Sequence, residues 1–332
     1  MSPDPTFPRD DADAVDAIEL PAPGTVRRGH LRFSSPVLAD WAWPYTVVRG
    51  AEPGPRLAVV SGVHPTEYPA IEANIRFTRA LDPATLRGTV VSVPLVDVPA
   101  FLARSPFVCP IDGKNPNRFF PGDPNGTFTE VMDDAVFRAV VAPSDALIDL
   151  HGGDMVEDLF PFTIYSGLGD EPTMAASRAL GAAFGLPYLV KSTPAPGAIA
   201  GTSSHAGAAA GIPSVIVEAG GCGLLTEPEV RMLLDGLHNA LRHLGMLPGE
   251  VVAHDPIETP RFSWLNSPAE GMWYPSVKVG EAVREGQRLG WVGNIWGDRL
   301  GEILSPHDGA VLFITSSPAM KENGLCIAVA GA

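Results

Sequence analysis

The strongest constraint on this chain is a succession of short apolar runs separated by stretches of helical periodicity. RLAVVS (Arg56 to Ser61), TVVSVPLVD (Thr89 to Asp97), ALIDL (Ala146 to Leu150), PFTIY and SVIVEAG read as strands without polar alternation. Such a strand has no face to turn to water, so both sides of its sheet must be covered. Helices supply the cover. One follows GVHPTE with Tyr68, Ile71, Ile75 and Leu81 on one side, and others span Glu171 to Phe184 and Glu227 to Leu244. This is the pattern of an α/β fold. Sites in such sheets lie beyond the carboxyl ends of strands, where His64, His151 and Glu218 fall.

From about Thr259 helical periodicity gives way to short alternating runs with turns at KVGEAV, REGQRLG and PHDGAV, which read as a small all-β domain. The expected division is a flexible leader over 1–25, an α/β domain over 26–255 that carries the candidate site, and a C-terminal β-domain over 259–332. The acidic, proline-bearing start lacks the basic and apolar regions of a secretory signal, so a cytoplasmic protein is expected. No apolar run approaches the roughly 20 residues that span a bilayer, so no membrane partner is expected. A net charge of -15 without a Lys/Arg cluster argues against nucleic acid. Cys109, Cys222 and Cys326 lack CxxC spacing and read as reduced thiols.

Three residues at strand ends form a candidate metal site: His64 and Glu67 in SGVHPTE, and His151, 84 residues after Glu67, in LIDLHGGD. Two imidazoles and a carboxylate are a hydrolytic zinc set that leaves a position open. Pro65 biases His64 to an extended conformation while Glu67 enters the first helical turn, so both can turn to one ion. The plainer alternative is a turn histidine beside a carboxylate that complements a helix dipole. Asp149 is either a carboxylate orienting His151 or a buried acceptor. Glu218 ends an apolar strand before two glycines, which packing explains poorly, and is the candidate general base; an exposed loop glutamate is the alternative. Arg118 offers a planar fork for a carboxylate and Asn117 an amide donor, unless Arg118 is simply solvated. Asp154, Glu157 and Asp158 read first as a solvated acidic loop and second as a receiver for a cationic group. His205 reads as a surface histidine.

HPTE, NPNRFFPG, DLH and VEAG, in this order, resemble the succinylglutamate desuccinylase/aspartoacylase family, a branch of the zinc carboxypeptidase-like hydrolases. The resemblance runs from about Arg56 to Leu244. It implies a zinc-carboxypeptidase-like mixed sheet flanked by helices, with a C-terminal β-domain. One Zn2+ per chain is implied on His64, Glu67 and His151, with Glu218 as general base. Asn117 and Arg118 are implied as contacts to a substrate carboxylate or the polarised carbonyl oxygen. The implied reaction is hydrolysis of the amide of a small N-acyl amino acid or related amine by metal-activated water. HPTE stands where the family commonly has HGxE, and NPNR where DLNR is common. FVCPIDGK holds no arginine before Asn117, which argues against N-acetylaspartate. Members with the longer β-domain, including deacetylases of N-acetylated diamino acids, are the more similar.

The segment from VKVGEAV to DGAVLFI resembles the barrel-sandwich fold of biotinyl and lipoyl carrier domains. GNIWGD stands where a carrier has its lysine, so no swinging cofactor is expected. This domain covers the active-site mouth or forms a homo-oligomer interface; the sequence leaves both open. The expected partner is a small N-acylated molecule. A carboxypeptidase for short peptides and a noncatalytic binding protein on the same scaffold are the alternative functions.

Overall fold

The structure is a computed structural model and describes residues 17–192, 201–252 and 254–331. Most of the expected leader, residues 1–16, lies outside the described residues. The first strands are β1 (Thr25–Leu31), β2 (Trp43–Arg49), β3 (Glu52–Ser61), β4 (Arg87–Val93) and β5 (Ala146–His151). They are followed by β6 (Glu157–Leu159), β7 (Phe162–Ser166), β8 (Tyr188–Ser192), β9 (Ser214–Glu218) and β10 (Ile257–Thr259). All but β6 join one nine-stranded sheet of order β1-β2-β4-β3-β5-β9-β7-β8-β10. Its centre is parallel, β4, β3, β5 and β9 running together, while β7 returns antiparallel to β9. The expected mixed sheet is therefore present.

Both faces are covered because successive residues of the central strands feed opposite cores. Leu57 and Val59 of β3 join one apolar cluster, with α1 (Tyr68–Ala80). Ala58 and Val60 join another, with α2 (Val98–Ala103) and α3 (Phe128–Val136). Chain order continues with α4 (Glu171–Phe184), α5 (Ser203–Ala209) and α6 (Glu227–His243). Of these, α4 and α6 cover the α1 side. Among the described residues, no helix is long and apolar enough to cross a membrane.

Two sequence expectations shift. The strand expected to reach Asp97 ends at Val93, because Pro94 has no N–H for the ladder and the chain turns across the end of β3. Asp97 instead caps α2, its carboxylate accepting from Ala100 N at 3.0 Å. On α1, Ile75 faces solvent, and the buried stripe is centred on Ala70, Asn74 and Phe77. Asn74 earns its buried place as a polar hub. Its amide donates to Ser61 Oγ at 3.0 Å and its carbonyl accepts from Ser92 Oγ at 2.6 Å, tying β3 to β4 behind the site. Asn74→Ala strands these buried groups and is expected to cost about 3 kcal/mol, read as a lower denaturation midpoint at unchanged slope.

The remaining strands are β11 (Arg261–Asn266), β12 (Gly271–Pro275), β13 (Ala282–Val283), β14 (Arg288–Gly293), β15 (Arg299–Leu304), β16 (Gly309–Thr315), β17 (Ala319–Met320) and β18 (Leu325–Gly331). They form two antiparallel sheets around Trp273, Leu289, Val311 and Ile327. The turn joining β14 to β15 carries Ile295 and Trp296, both largely exposed. Strand β6 leaves the main chain path to pair with β16, aligning Leu159 with Phe313 and Glu157 with Thr315. A further apolar cluster, with Phe162, Ile164 and Ile216 on one side and Leu312, Phe313 and Ala328 on the other, joins the two parts.

Candidate metal centre

Parallel register assembles the site. Ser61 pairs with Leu150 and His151 with Glu218, so the ends of β3, β5 and β9 lie along one edge. After β3 the chain turns at Gly62, whose positive φ of 63° suits glycine and where a Cβ would meet Leu95 Cδ1 at 2.8 Å. The turn delivers His64 and then Glu67, the residue that caps the start of α1. The Glu67 side chain makes no cap hydrogen bond. It points into the site rather than back onto the helix N-terminus, accepting from Gly152 N.

All three candidate ligands are buried, and their donor atoms lie within 4.8 Å of one another. Glu67 stands between the histidines, its Oε1 2.9 Å from His64 Nδ1 and its Oε2 3.0 Å from His151 Nδ1. Gly152 N donates to Oε2 at 3.0 Å. The outer ring nitrogens also lie near oxygens, although that of His151 makes no hydrogen bond of good geometry. His64 Nε2 is 3.0 Å from Asn115 Oδ1, and His151 Nε2 is 3.1 Å from Asp149 Oδ2. Asp149 is fully buried, accepts from the Ser203 hydroxyl and stands next to His151.

The inner nitrogens face one carboxylate and the outer ones face oxygens. This is how metal-ligating histidines are oriented. Burial disfavours a charged His64, but Glu67 beside it raises its pKa. Burial likewise opposes charge on His151, and Asp149 and Glu67 together raise its pKa well above the usual range. Glu67 is opposed by burial but held down to about 2 by His151 and His64. A buried carboxylate between two imidazoles is a ready cation receptor, and the donor set of two nitrogens and an oxygen fits zinc. These three residues can hold a metal.

Glu218 lies beside His151 on the neighbouring strand and lines a cavity of about 120 Å³ that also borders all three candidate ligands. It is half-buried rather than an exposed loop glutamate, and burial pushes its carboxyl well above the ordinary range. Asn117 and Arg118 reach the same cavity from a short turn, Pro116–Arg118. Arg118 Nη1 donates to Asn117 O at 2.6 Å, and partial burial lowers its pKa against the pull of Glu157. His205 lies on α5 and is not among the residues lining this cavity.

The acidic stretch after His151 is not a solvated loop. Asp154 is fully buried and accepts from Thr66 Oγ1 and, at 2.9 Å, from Phe107 N. Glu157 lines the cavity, and burial pushes its carboxyl up to about 7. The glycines around it are required by close approach. A Cβ on Gly153 would lie 2.4 Å from Glu157 O, and one on Gly221 2.9 Å from the same oxygen. Three wall residues, Trp264, Phe313 and Leu325, come from the C-terminal sheets. Sequence reasoning missed them, and it also missed Asn115, whose only signal was the motif NPNR. Of the two roles left open for the β-domain, covering the site is the one seen here.

Residues 53–244 match the family described as the succinylglutamate desuccinylase/aspartoacylase catalytic domain. The N-alpha-acetyl-L-2,4-diaminobutyric acid deacetylase of Halomonas elongata is 32% identical over 294 residues, covering 86% of this chain and 84% of that protein. The product-bound ectoine utilization protein EutE (DoeB) from Ruegeria pomeroyi superposes with a TM-score of 0.83 at 28% identity, covering 95% of this chain and 98% of that one. A succinylglutamate desuccinylase/aspartoacylase from Rhodobacter sphaeroides gives 0.80 at 27% identity, covering 92% and 94%. With the fold, the ordered motifs and these matches in agreement, the chain belongs to the succinylglutamate desuccinylase/aspartoacylase family.

Proposed function

We propose that this protein is a zinc-dependent hydrolase that cleaves the amide of a small N-acyl amino acid or related N-acyl amine. The observation that carries the reading is Glu218 paired with His151 across two strand ends, beside the convergence of His64, Glu67 and His151 in one small cavity. His64, Glu67 and His151 would hold one zinc ion per chain. When bound, zinc supplies a Lewis acid that polarises a carbonyl and acidifies water.

The chain's own groups do the rest. A Glu218 carboxylate oxygen takes a proton from the attacking water as its oxygen bonds to the acyl carbon. It returns that proton to the amine nitrogen as the C–N bond breaks, leaving a free amine and a carboxylic acid that then gives up its proton. Arg118 and Asn117 grip the substrate carboxylate or the polarised carbonyl oxygen, which holds the amide in line. Trp264 and Phe313 form an apolar part of the cavity wall. That wall favours a small substrate over a peptide, and the deacetylase named for the Halomonas relative supports an acyl amide as the target.

The direct test is metal content of the purified protein together with amine release from a panel of N-acetyl and N-succinyl amino acids, with and without chelator. About one zinc per chain and release abolished by chelator are expected. Zinc without release from any acyl amino acid would sink the deacylase reading, and absence of bound metal would sink the zinc assignment.

A further inference from the structure

One side chain outside the cavity wall touches both halves of the proposed machinery. Asn115 precedes the turn Pro116–Arg118, and the proline after it favours the extended conformation it adopts, φ -85° and ψ 111°. It holds that turn twice, its carbonyl accepting from Arg118 N at 3.1 Å and its Oδ1 from Asn117 N at 2.9 Å. The same Oδ1 lies 3.0 Å from His64 Nε2. Because a backbone N–H can only donate, the Asn117 contact fixes which end of the Asn115 amide is the oxygen. An amide oxygen can only accept, so the hydrogen in its contact with His64 sits on Nε2. The other ring nitrogen, Nδ1, faces Glu67 Oε1 at 2.9 Å.

We propose that Asn115 is a positioning residue that keeps the hydrogen of His64 on Nε2, leaves Nδ1 to the metal, and ties this ligand to the turn carrying Asn117 and Arg118. This rests on the zinc assignment and extends it to the segment that grips the substrate. A neutral imidazole has one N–H, so a hydrogen on Nε2 leaves Nδ1 as a bare lone pair opposite a carboxylate. Two acceptors that close repel, and a cation between them turns the repulsion into attraction. The asparagine thus selects the form of His64 that takes a metal. Its oxygen serves both donors at once, so fixing the ring also fixes the turn. His151 stands beside the Asp149 carboxylate, whereas His64 meets a neutral amide, which accepts less strongly than a carboxylate.

The experiment measures zinc affinity, by competition with a chromophoric chelator, for native protein, Asn115→Ala and Asn115→Asp. Amide hydrogen exchange at Asn117 is followed in each with and without zinc. Asn115→Ala removes the oxygen and is expected to weaken zinc binding about 10- to 100-fold. Asn115→Asp keeps an acceptor for both donors and is expected to bind zinc at native affinity or tighter. Zinc should slow exchange at Asn117 in native protein and in Asn115→Asp, and should have no such effect in Asn115→Ala. Native affinity in Asn115→Ala, or an Asn115→Asp variant as weak as the alanine one, would overturn the positioning role and leave the zinc assignment standing. Exchange at Asn117 that zinc leaves unchanged in native protein would overturn the tie to the turn. A native protein that binds no zinc would overturn the zinc assignment and this inference together.

Discussion

Glu218→Gln is expected to keep the metal and lose the reaction. Glutamine matches glutamate in size, so the end of β9 should keep its register with His151. What disappears is the oxygen able to accept a proton from water and return it to the leaving amine. A positioned general base contributes about 10²- to 10⁴-fold, and kcat should fall within that range while zinc stays near one per chain. Metal analysis and turnover on the same preparation separate the two effects. If the variant lost its zinc as fully as a ligand variant, Glu218 would be a ligand and the proposed division of labour would be wrong.

His151→Ala is expected to lose both. It removes one of three donors and leaves Glu67 facing His64 alone in a buried site. Loss of an outer-shell partner alone costs about 10- to 100-fold in metal affinity, so removal of a direct ligand should exceed that range. Zinc competition against a chromophoric chelator measures it. In the metal-free protein, breaking a buried charge pair on one side typically costs about 3–5 kcal/mol, so the variant should also unfold at lower denaturant. Retained zinc at native affinity would remove His151 from the ligand set.

The convergence of the candidate ligands was legible because their chemistry is local to strand ends. His64, His151 and Glu218 each follow an apolar run, and an ionisable residue there has few packing explanations. The parallel order of β3, β5 and β9 then brings distant segments to one edge. Elsewhere a local reading misled. Apolar composition carried the fourth strand past Pro94, although the missing N–H ends it at Val93. Helical spacing placed Ile75 inside, but the stripe is set by Asn74 and its partners on two strands. Asp154 looked like a loop carboxylate because nothing nearby in sequence announces Thr66 or Phe107 as its donors. Asn115 and Trp264 were invisible for the same reason: each acquires meaning only from a contact made far along the chain.

The pairing of β6 with β16 gives this protein a divided inheritance. Groups proposed for bond breaking are written in the first two-thirds of the chain, whereas part of the wall that measures the substrate is written after Thr259. The shared strand couples the two texts at Glu157. A chain cut after β10 would therefore keep the candidate metal ligands but lose Trp264, Phe313 and Leu325 from the cavity wall and leave β6 without its partner strand. Grafting the last strands of a relative onto this body would retune what enters the site while leaving every proposed metal ligand untouched.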